Sequence, residues 1–275
     1  MSKKMSAGKK IRIILFVVVG MVFLGSLGYI LYTNLGYKKE ASVYSDVIAQ
    51  AIIAKPKKPS EGSGNGASGS ENGSQEEGII EDDSPFDIDF EVLWSINPDI
   101  CGWIYCPDTV INYPILKGAN NDTYIRHNYL KDYATSGSIF IEMANSADFS
   151  NSNTIVYGHN MRDGSMFACL SKWSSQDFYN EHPYMYLFTP KKTYRIELFS
   201  EYITDATSDS YYAILSPCQE MNDYLARVKA KSNFNSEVEL DPNGRYVMLS
   251  TCSYAFENAR FVLHGKLVEI EDINS

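Results

Sequence analysis

Hydrophobic and polar positions divide the chain into three parts. An uncharged, mostly apolar run at 13–37 is followed by a polar tract at 55–84, and then by short apolar segments separated by turn residues. A run of more than about 20 apolar residues is long enough to cross a bilayer as a helix. The pattern predicts a cytoplasmic tail at 1–10, a membrane anchor at 11–37, a stalk and flexible linker at 38–84, and a globular domain at 85–275.

The globular part is predicted to be mainly β. Its apolar segments are short and are bounded by Gly, Pro, Asn and Asp, which is typical of strands in an all-β barrel or sandwich. The eight predicted strands lie at 100–106, 110–116, 138–142, 154–157, 184–189, 194–203, 246–252 and 261–270.

Two segments of this domain instead have helical spacing. The first contains Ile88, Val92, Leu93 and Ile96, and ends at Asn97-Pro98. The second lies between two late strands and begins with a capping box, Ser216-Pro217-Cys218-Gln219. It continues with apolar residues at i, i+3, i+4 and i+7, namely Met221, Tyr224, Leu225 and Val228. We therefore expect an N-terminal helix and a helix inserted between late strands.

The flanking charges predict how the anchor is oriented. Basic residues precede the apolar run, so the positive-inside rule places the N-terminus in the cytoplasm and the domain outside the cell. A cleaved signal peptide is the alternative, but its apolar region would span only about 7–15 residues. Residues 1–12 carry a charge of +5 within a net −10, so the remainder carries −15. An acidic domain argues against nucleic acid as a partner.

One of the five cysteines stands out by position. Cys252 ends a predicted strand, where a thiol is open to a substrate and its backbone is fixed. Cys101 and Cys106 share one strand, about 17 Å apart, too far for a disulfide. Small buried hydrophobic residues are the better interpretation of these two and of Cys169 and Cys218.

A histidine and an arginine hold comparable positions. His159 ends the apolar strand at 154–157, and Arg260 opens the strand at 261–270. A thiol needs a neighbouring imidazole to react at neutral pH. His127 and His182 lack strand support, and His264 lies about 13 Å beyond Arg260 along the strand. Arg260 would hold a developing oxyanion, although a surface salt bridge with Glu257 is the alternative.

The motifs around these residues resemble those of the sortases, the membrane-anchored cysteine transpeptidases of Gram-positive bacteria. The resemblance covers about 85–270 and looks most like class B, in which a helix occupies the position of the predicted insert. The matching segments are Leu249-Ser250-Thr251-Cys252, Arg260-Phe261-Val262, Tyr157-Gly158-His159-Asn160, Gly102-Trp103-Ile104, Tyr113-Pro114-Ile115, Gly137-Ser138-Ile139-Phe140 and Gly164-Ser165-Met166-Phe167.

The resemblance implies a closed β-barrel of about eight strands and a catalytic set of His159, Cys252 and Arg260. Ser250 and Thr251 are candidate substrate-binding residues, although a purely structural role for Ser250 fits equally well. Sortases vary in using an acidic residue near the histidine, and Asp163 is left unassigned. No cofactor or metal is expected.

The implied reaction cuts the C-terminal sorting signal of a surface protein and joins the acyl group to a peptidoglycan amine. The expected partners are therefore sorting-signal proteins, the wall amine, and membrane lipid around the anchor. Three alternatives remain: a pilin-polymerising class C sortase, an L,D-transpeptidase, and a non-catalytic wall-binding barrel. The polar C-terminal end disfavours the first, and the eight residues from Cys252 to Arg260 do not match the Cys-x-Arg spacing of the second.

Overall fold

The structure is a computed structural model that describes residues 7–55, 80–212 and 219–271. Its contacts divide the chain into two compact units, residues 1–46 and 47–275. The predicted flexible linker falls largely on 56–79, and the predicted cap of the inserted helix falls on 216–218. Both lie outside the described residues.

The first unit is formed by a single long helix. Helix α1 (Ala7–Ala51) continues past the predicted anchor because no Gly or Pro interrupts residues 38–51. Its apolar side chains at 13–35 are largely exposed. Among the described residues, it is the one helix long and apolar enough to cross a membrane, by length and composition alone.

The second unit is a closed β-barrel with added short strands. The strands are β1 (Ile52–Ala54), β2 (Ile80–Glu81), β3 (Phe86–Ile88), β4 (Ile100–Tyr105), β5 (Asn112–Leu116), β6 (Ile139–Ile141), β7 (Asn153–Tyr157), β8 (Tyr184–Phe188), β9 (Thr193–Asp205), β10 (Arg245–Cys252) and β11 (Ala259–Glu271). Eight of them follow the order β10-β7-β6-β5-β4-β8-β9-β11, and the pairing of β10 with β11 closes the barrel. These eight are the predicted strands, so the fold class is confirmed.

The second unit begins earlier in the chain than the predicted boundary at 85. Strand β1 pairs antiparallel with β3, and β2 pairs parallel with the end of β11. Lys55 forms ion pairs with Asp82 and, at 3.2 Å, with Asp87. Residues on both sides of 56–79 therefore belong to the second unit, although the linker composition predicted otherwise.

Three helices of the described second unit lie around the barrel, and only the first and the last of them were predicted. They are α2 (Phe90–Ile96), α3 (Gln176–Glu181) and α4 (Gln219–Ala230), with 3₁₀ turns at Ala168–Ser174 and Asp209–Tyr211. The four apolar residues predicted to form one face of α4 are all buried in a core cluster with β9, β10 and β11 residues. The same cluster contains Ile155 of β7 and Met248 of β10, so α4 supports the strands that lead to Cys252 and His159.

Candidate active site

Three adjacent strands bring the predicted catalytic residues to one end of the barrel. Cys252 and Arg260 are directly opposite each other in the antiparallel pairing of β10 with β11. Strand β7 lies parallel on the other side of β10, with Tyr157 beside Ser250. His159 follows Tyr157 by two residues, as Cys252 follows Ser250. Because neighbouring strands are about 5 Å apart, the backbones of the three residues lie side by side.

The loop after β7 is fastened to the end of β10. The Gly158 amide donates to the Ser250 carbonyl at 3.0 Å, which extends the ladder beyond the strand. The Asn160 side-chain amide donates to the carbonyl of Cys252 at 2.7 Å. Phe167 donates its amide to the carbonyl of His159 at 3.0 Å. The positions of the histidine and the cysteine are therefore fixed relative to each other by hydrogen bonds.

The His159 ring is oriented by a backbone carbonyl. Its Nε2 lies 2.7 Å from the carbonyl oxygen of Ile125. A carbonyl oxygen can only accept, so Nε2 carries the proton in the neutral ring. Nδ1 is then the nitrogen whose lone pair is available to accept a proton.

Cys252 differs in burial from the other cysteines among the described residues. It is half-buried, whereas Cys101, Cys106 and Cys169 are buried. Burial raises the pKa of Cys101 and Cys106 to about 12 and that of Cys169 to about 11. These three thiols stay protonated at neutral pH and are unreactive.

Arg260 lies among aromatic side chains at the same end of the barrel. Its Nη1 donates to the Ala259 carbonyl at 3.0 Å. Burial raises the pKa of Tyr211 to about 12, while the nearby positive charge of Arg260 lowers it. Within the described residues no ion pair joins Arg260 to Glu257, the alternative considered from the sequence. The remaining guanidinium nitrogens are thus not committed to a carboxylate.

Ser250 and Thr251 are both buried, at 1% and 2% exposure. The Ser250 hydroxyl lies 2.6 Å from the Tyr211 hydroxyl, which fixes it on the side of β10 shared with Cys252. The Thr251 hydroxyl points to the other side and has no hydrogen-bond partner within the described part of the chain. The substrate-binding role of both residues stays a prediction.

Two tyrosines at this end were missed from the sequence. Tyr211 stacks on Tyr157, with ring centres 6.3 Å apart and planes within 8°. Tyr157 donates its hydroxyl to Glu142 at 2.8 Å. Tyr157 lies two residues before His159, so the sequence could have placed both side chains on the same side of β7. Tyr211 comes from a 3₁₀ turn, which has no periodic sequence pattern.

The remaining candidates lie outside this set. His127 faces the Thr123 carbonyl at 2.8 Å, and His182 packs against Phe178. The Asp163 carboxylate accepts from the amide and hydroxyl of Ser165, so it stabilises a turn. Among the described residues no cluster of His, Cys, Asp or Glu is arranged to hold a metal ion.

A thiol, an imidazole and a guanidinium at the ends of three adjacent barrel strands form a cysteine acyl-transfer arrangement. The family model of the Sortase domain matches residues 104–268, which include all three. The chain belongs to the sortase family. The matched part of this sortase coincides with the barrel and α4.

Known relatives place this sortase in class B. It is 41% identical over 180 residues to "Sortase B" of Listeria monocytogenes, covering 64% of this chain and 72% of the relative. A Bacillus anthracis crystal structure described as similar to sortase B is 31% identical, with a TM-score of 0.65 and coverage of 86% and 98%. A sortase B structure in complex with triglycine is 34% identical, with a TM-score of 0.62 and coverage of 66% and 86%.

These findings favour class B over the alternatives raised from the sequence. The relatives are sortase B proteins, and sortases are cysteine transpeptidases that act on sorting signals. Helix α4 lies between β9 and β10, the place where class B was expected to carry a helix. A pilin-polymerising sortase and a non-catalytic wall-binding barrel are therefore not favoured.

Proposed function

We propose that Cys252 attacks the carbonyl carbon at the cleavage site of a sorting signal and forms a thioester. The observation that carries the proposal is the pairing of Cys252 with Arg260 across one ladder, with His159 on the next strand. The thiol proton of Cys252 passes to His159, the sulfur forms a bond to the carbonyl carbon, the scissile C–N bond breaks, and the leaving amine takes that proton from His159.

His159 then acts in the opposite direction during the second step. An incoming amine attacks the thioester, its nitrogen loses a proton to His159, and the sulfur of Cys252 leaves and takes that proton back as a thiol. Because Nε2 donates to the Ile125 carbonyl, Nδ1 is the nitrogen that carries this proton in both steps. The Ile125 carbonyl also stabilises the imidazolium that forms transiently within each step.

Arg260 stabilises the negative oxygen of the tetrahedral intermediates. Its planar guanidinium offers several donors in a fixed fork and forms no ion pair among the described residues.

The donor and the acceptor of the acyl group follow from the family and from one relative's ligand. The donor is a surface protein with a C-terminal sorting signal. A related sortase B was solved with triglycine, a peptide with a free amine, and we infer a peptidoglycan amine as the acceptor here. Water replaces the amine slowly, so the enzyme also acts as a thiol hydrolase. Ser250 and Thr251 lie next to the nucleophile and line or support the donor groove.

The helix α1 gives this enzyme its location. We infer that α1 holds it in the cell membrane in contact with lipid, with residues 1–10 in the cytoplasm and the barrel outside. Protease added to intact protoplasts should therefore degrade the barrel. Full protection of the barrel, with degradation after lysis, would reverse the orientation.

The test of the mechanism is a set of single substitutions in the full-length enzyme. Cys252→Ala should abolish cleavage of a sorting peptide, since no other exposed thiol is found among the described residues. His159→Ala should be nearly as damaging. Arg260→Lys keeps the charge but loses the fork, so the rate should fall by about 10²–10³.

Cys169→Ala is the matched control, because it also removes a thiol but a buried one, and it should retain activity. Mass spectrometry of the trapped enzyme should show the acyl group on Cys252. Cleavage by Cys252→Ala at the wild-type rate would rule out the thioester mechanism. The alternative of a non-catalytic wall-binding barrel would then be considered again.

A further inference from the structure

A cavity lies at the end of the barrel opposite to Cys252. It has a volume of about 450 Å³, within the range of small-molecule sites. Arg245, which lines it, is the first residue of β10, whereas Cys252 is the last. Seven steps of extended chain separate them by roughly 23 Å. A molecule in this cavity therefore does not occupy the catalytic end.

The base of the cavity is apolar and aromatic. Ile100 and Cys101 at the start of β4 are buried beneath it, and Trp94 stands beside it with 37% of its surface exposed. The Trp94 ring nitrogen donates to the Ile100 carbonyl at 2.9 Å, which fixes the indole. An exposed, fixed indole face gives a ring-shaped ligand a flat apolar surface to pack on.

The rim of the cavity is mainly basic. Lys191, Lys192 and Arg245 line it together with one carboxylate, Asp148. Lys192 is paired with Glu269 at 2.6 Å, and Arg245 lies 3.9 Å from the same carboxylate. Lys191 forms no ion pair within the described residues, but the pKa of Asp148 is lowered by hydrogen bonding from Ser150 and also by the charge of Lys191, so the two side chains lie near each other. The Lys191 ammonium and part of the Arg245 guanidinium would therefore pair with an anion in competition with Asp148 and Glu269.

The Arg245 side chain is held in place, whereas the Lys191 side chain is exposed and only its backbone is fixed. Lys191 is in the turn between β8 and β9, where the amide and hydroxyl of Thr189 donate to the Lys192 carbonyl at 2.9 and 2.8 Å. The Arg245 guanidinium lies 5.0 Å from the centre of the Tyr194 ring and donates to its hydroxyl at 3.1 Å. A pre-positioned cation costs less conformational entropy when it binds an anion.

We propose that this cavity binds a carboxylated sugar, whose ring packs on Trp94 while its carboxylate pairs with Lys191 and Arg245. The flat indole and the available cations select an anion with a ring body. The choice of a sugar rests on the proposed function, which places the enzyme beside the wall polysaccharide. Such a site holds the enzyme on the glycan while the opposite end of the barrel remains open for catalysis.

Binding is tested on the full chain in detergent micelles with N-acetylmuramic acid and with uncharged N-acetylglucosamine. Trp103 and Trp173 are fully buried, so a ligand in the cavity should change the emission of Trp94. The acidic sugar should give a saturable change with a dissociation constant on the order of 1 mM, typical for so small a ligand. The signal should weaken as salt is added, because the ions are partly exposed.

The double variant Lys191→Gln/Arg245→Gln should weaken binding at least tenfold, as two ion pairs of moderate strength are lost. Lys229→Gln, which removes a charge from α4 outside the cavity, should bind as the wild type does. All variants should cleave a short sorting peptide at the wild-type rate. Failure of the acidic sugar to bind is therefore distinct from failure of the catalytic proposal.

Three results would overturn the inference. The first is equal binding of the neutral sugar, and the second is unchanged affinity in the double variant. The third is binding of benzoate as tight as that of the acidic sugar, which would show a site for organic anions in general.

Discussion

At the scale of single residues, burial decides which histidine can exchange protons. His264 lies on β11, as Arg260 does, but its ring is fully buried and stacks on Tyr202 at 5.4 Å. Burial, followed by the positive charge of Lys231, lowers its pKa to about 3. The ring therefore stays neutral throughout the working range of the enzyme. His159, in contrast, is only partly buried.

The lowered pKa of His264 predicts a loss of stability in acid. The unfolded chain binds a proton near pH 6.5, while the folded chain does so only near 3. Between these values the unfolded state holds more protons, so the free energy of unfolding falls as pH falls, by up to about 1.4 kcal/mol per unit.

Denaturant unfolding of wild type and His264→Gln at pH 7, 6 and 5 measures this contribution. The variant should be less stable at pH 7, because a buried ring is lost, yet its stability should fall less steeply towards pH 5. Parallel pH profiles would show that His264 does not contribute.

At the scale of elements, the approach of β7 to its neighbours positions the histidine. Gly158 connects β7 to His159 and is closely surrounded. A Cβ atom there would lie 2.5 Å from Ile139 Cδ1 and 2.6 Å from Phe167 Cδ2. Both contacts are shorter than side chains tolerate, so a larger residue must displace either the strand or its neighbours.

Gly158→Ala is therefore expected to reduce both stability and activity. Overpacking of this kind costs about 1–3 kcal/mol, and the shift should move His159 away from Cys252. Melting temperature and kcat/KM measure the two effects. Adding Ile139→Val removes the Cδ1 contact and should recover part of the loss, whereas Ile139→Val alone, at a fully buried position, should cost about 0.5–1.5 kcal/mol. Wild-type values for Gly158→Ala would contradict the packing argument.

The sequence predicted those elements whose pattern is local. Alternating and apolar runs marked all eight barrel strands, and the spacing of Met221 and Val228 marked α4. Strands β1 and β2 have three and two residues, too few for a periodic signal. The contact of His159 with Ile125 and that of Ser250 with Tyr211 join distant parts of the chain, so tertiary packing alone determines them.

At the scale of the whole molecule, described residues on the two sides of 56–79 contact each other within the second unit. Lys55 contacts Asp82 and donates to the Ser84 hydroxyl at 2.8 Å. Strand β1, before residue 56, also pairs with β3, after residue 79, and the Ala51 carbonyl accepts from the Asp89 amide at 2.8 Å. Contacts of residues 51–55 with residues 82–89 thus hold the two sides of 56–79 together.

Deletion of residues 62–77 should consequently leave the melting temperature unchanged or slightly raised. Shortening a closed loop about threefold lowers the entropic cost of closure by about 1 kcal/mol. Asp82→Asn in the full chain should lower the melting temperature instead, because the partly buried Lys55 loses one of its two carboxylate partners. Thermal unfolding of the wild type and of both variants measures these changes. A melting temperature several degrees lower in the deletion variant would show that residues 62–77 contribute contacts.

Closure of the barrel also limits how the enzyme can recognise a peptide substrate. Strands β7, β10 and β11 each have a neighbour on both sides, so their backbone amides and carbonyls are already used by the ladder. A sorting peptide cannot extend this sheet as an additional strand, the mode that makes recognition depend on the peptide backbone. Specificity must come from side-chain pockets and loops around Cys252. Backbone N-methylation of the donor peptide away from the scissile bond should therefore be tolerated, which opens a route to protease-resistant inhibitors.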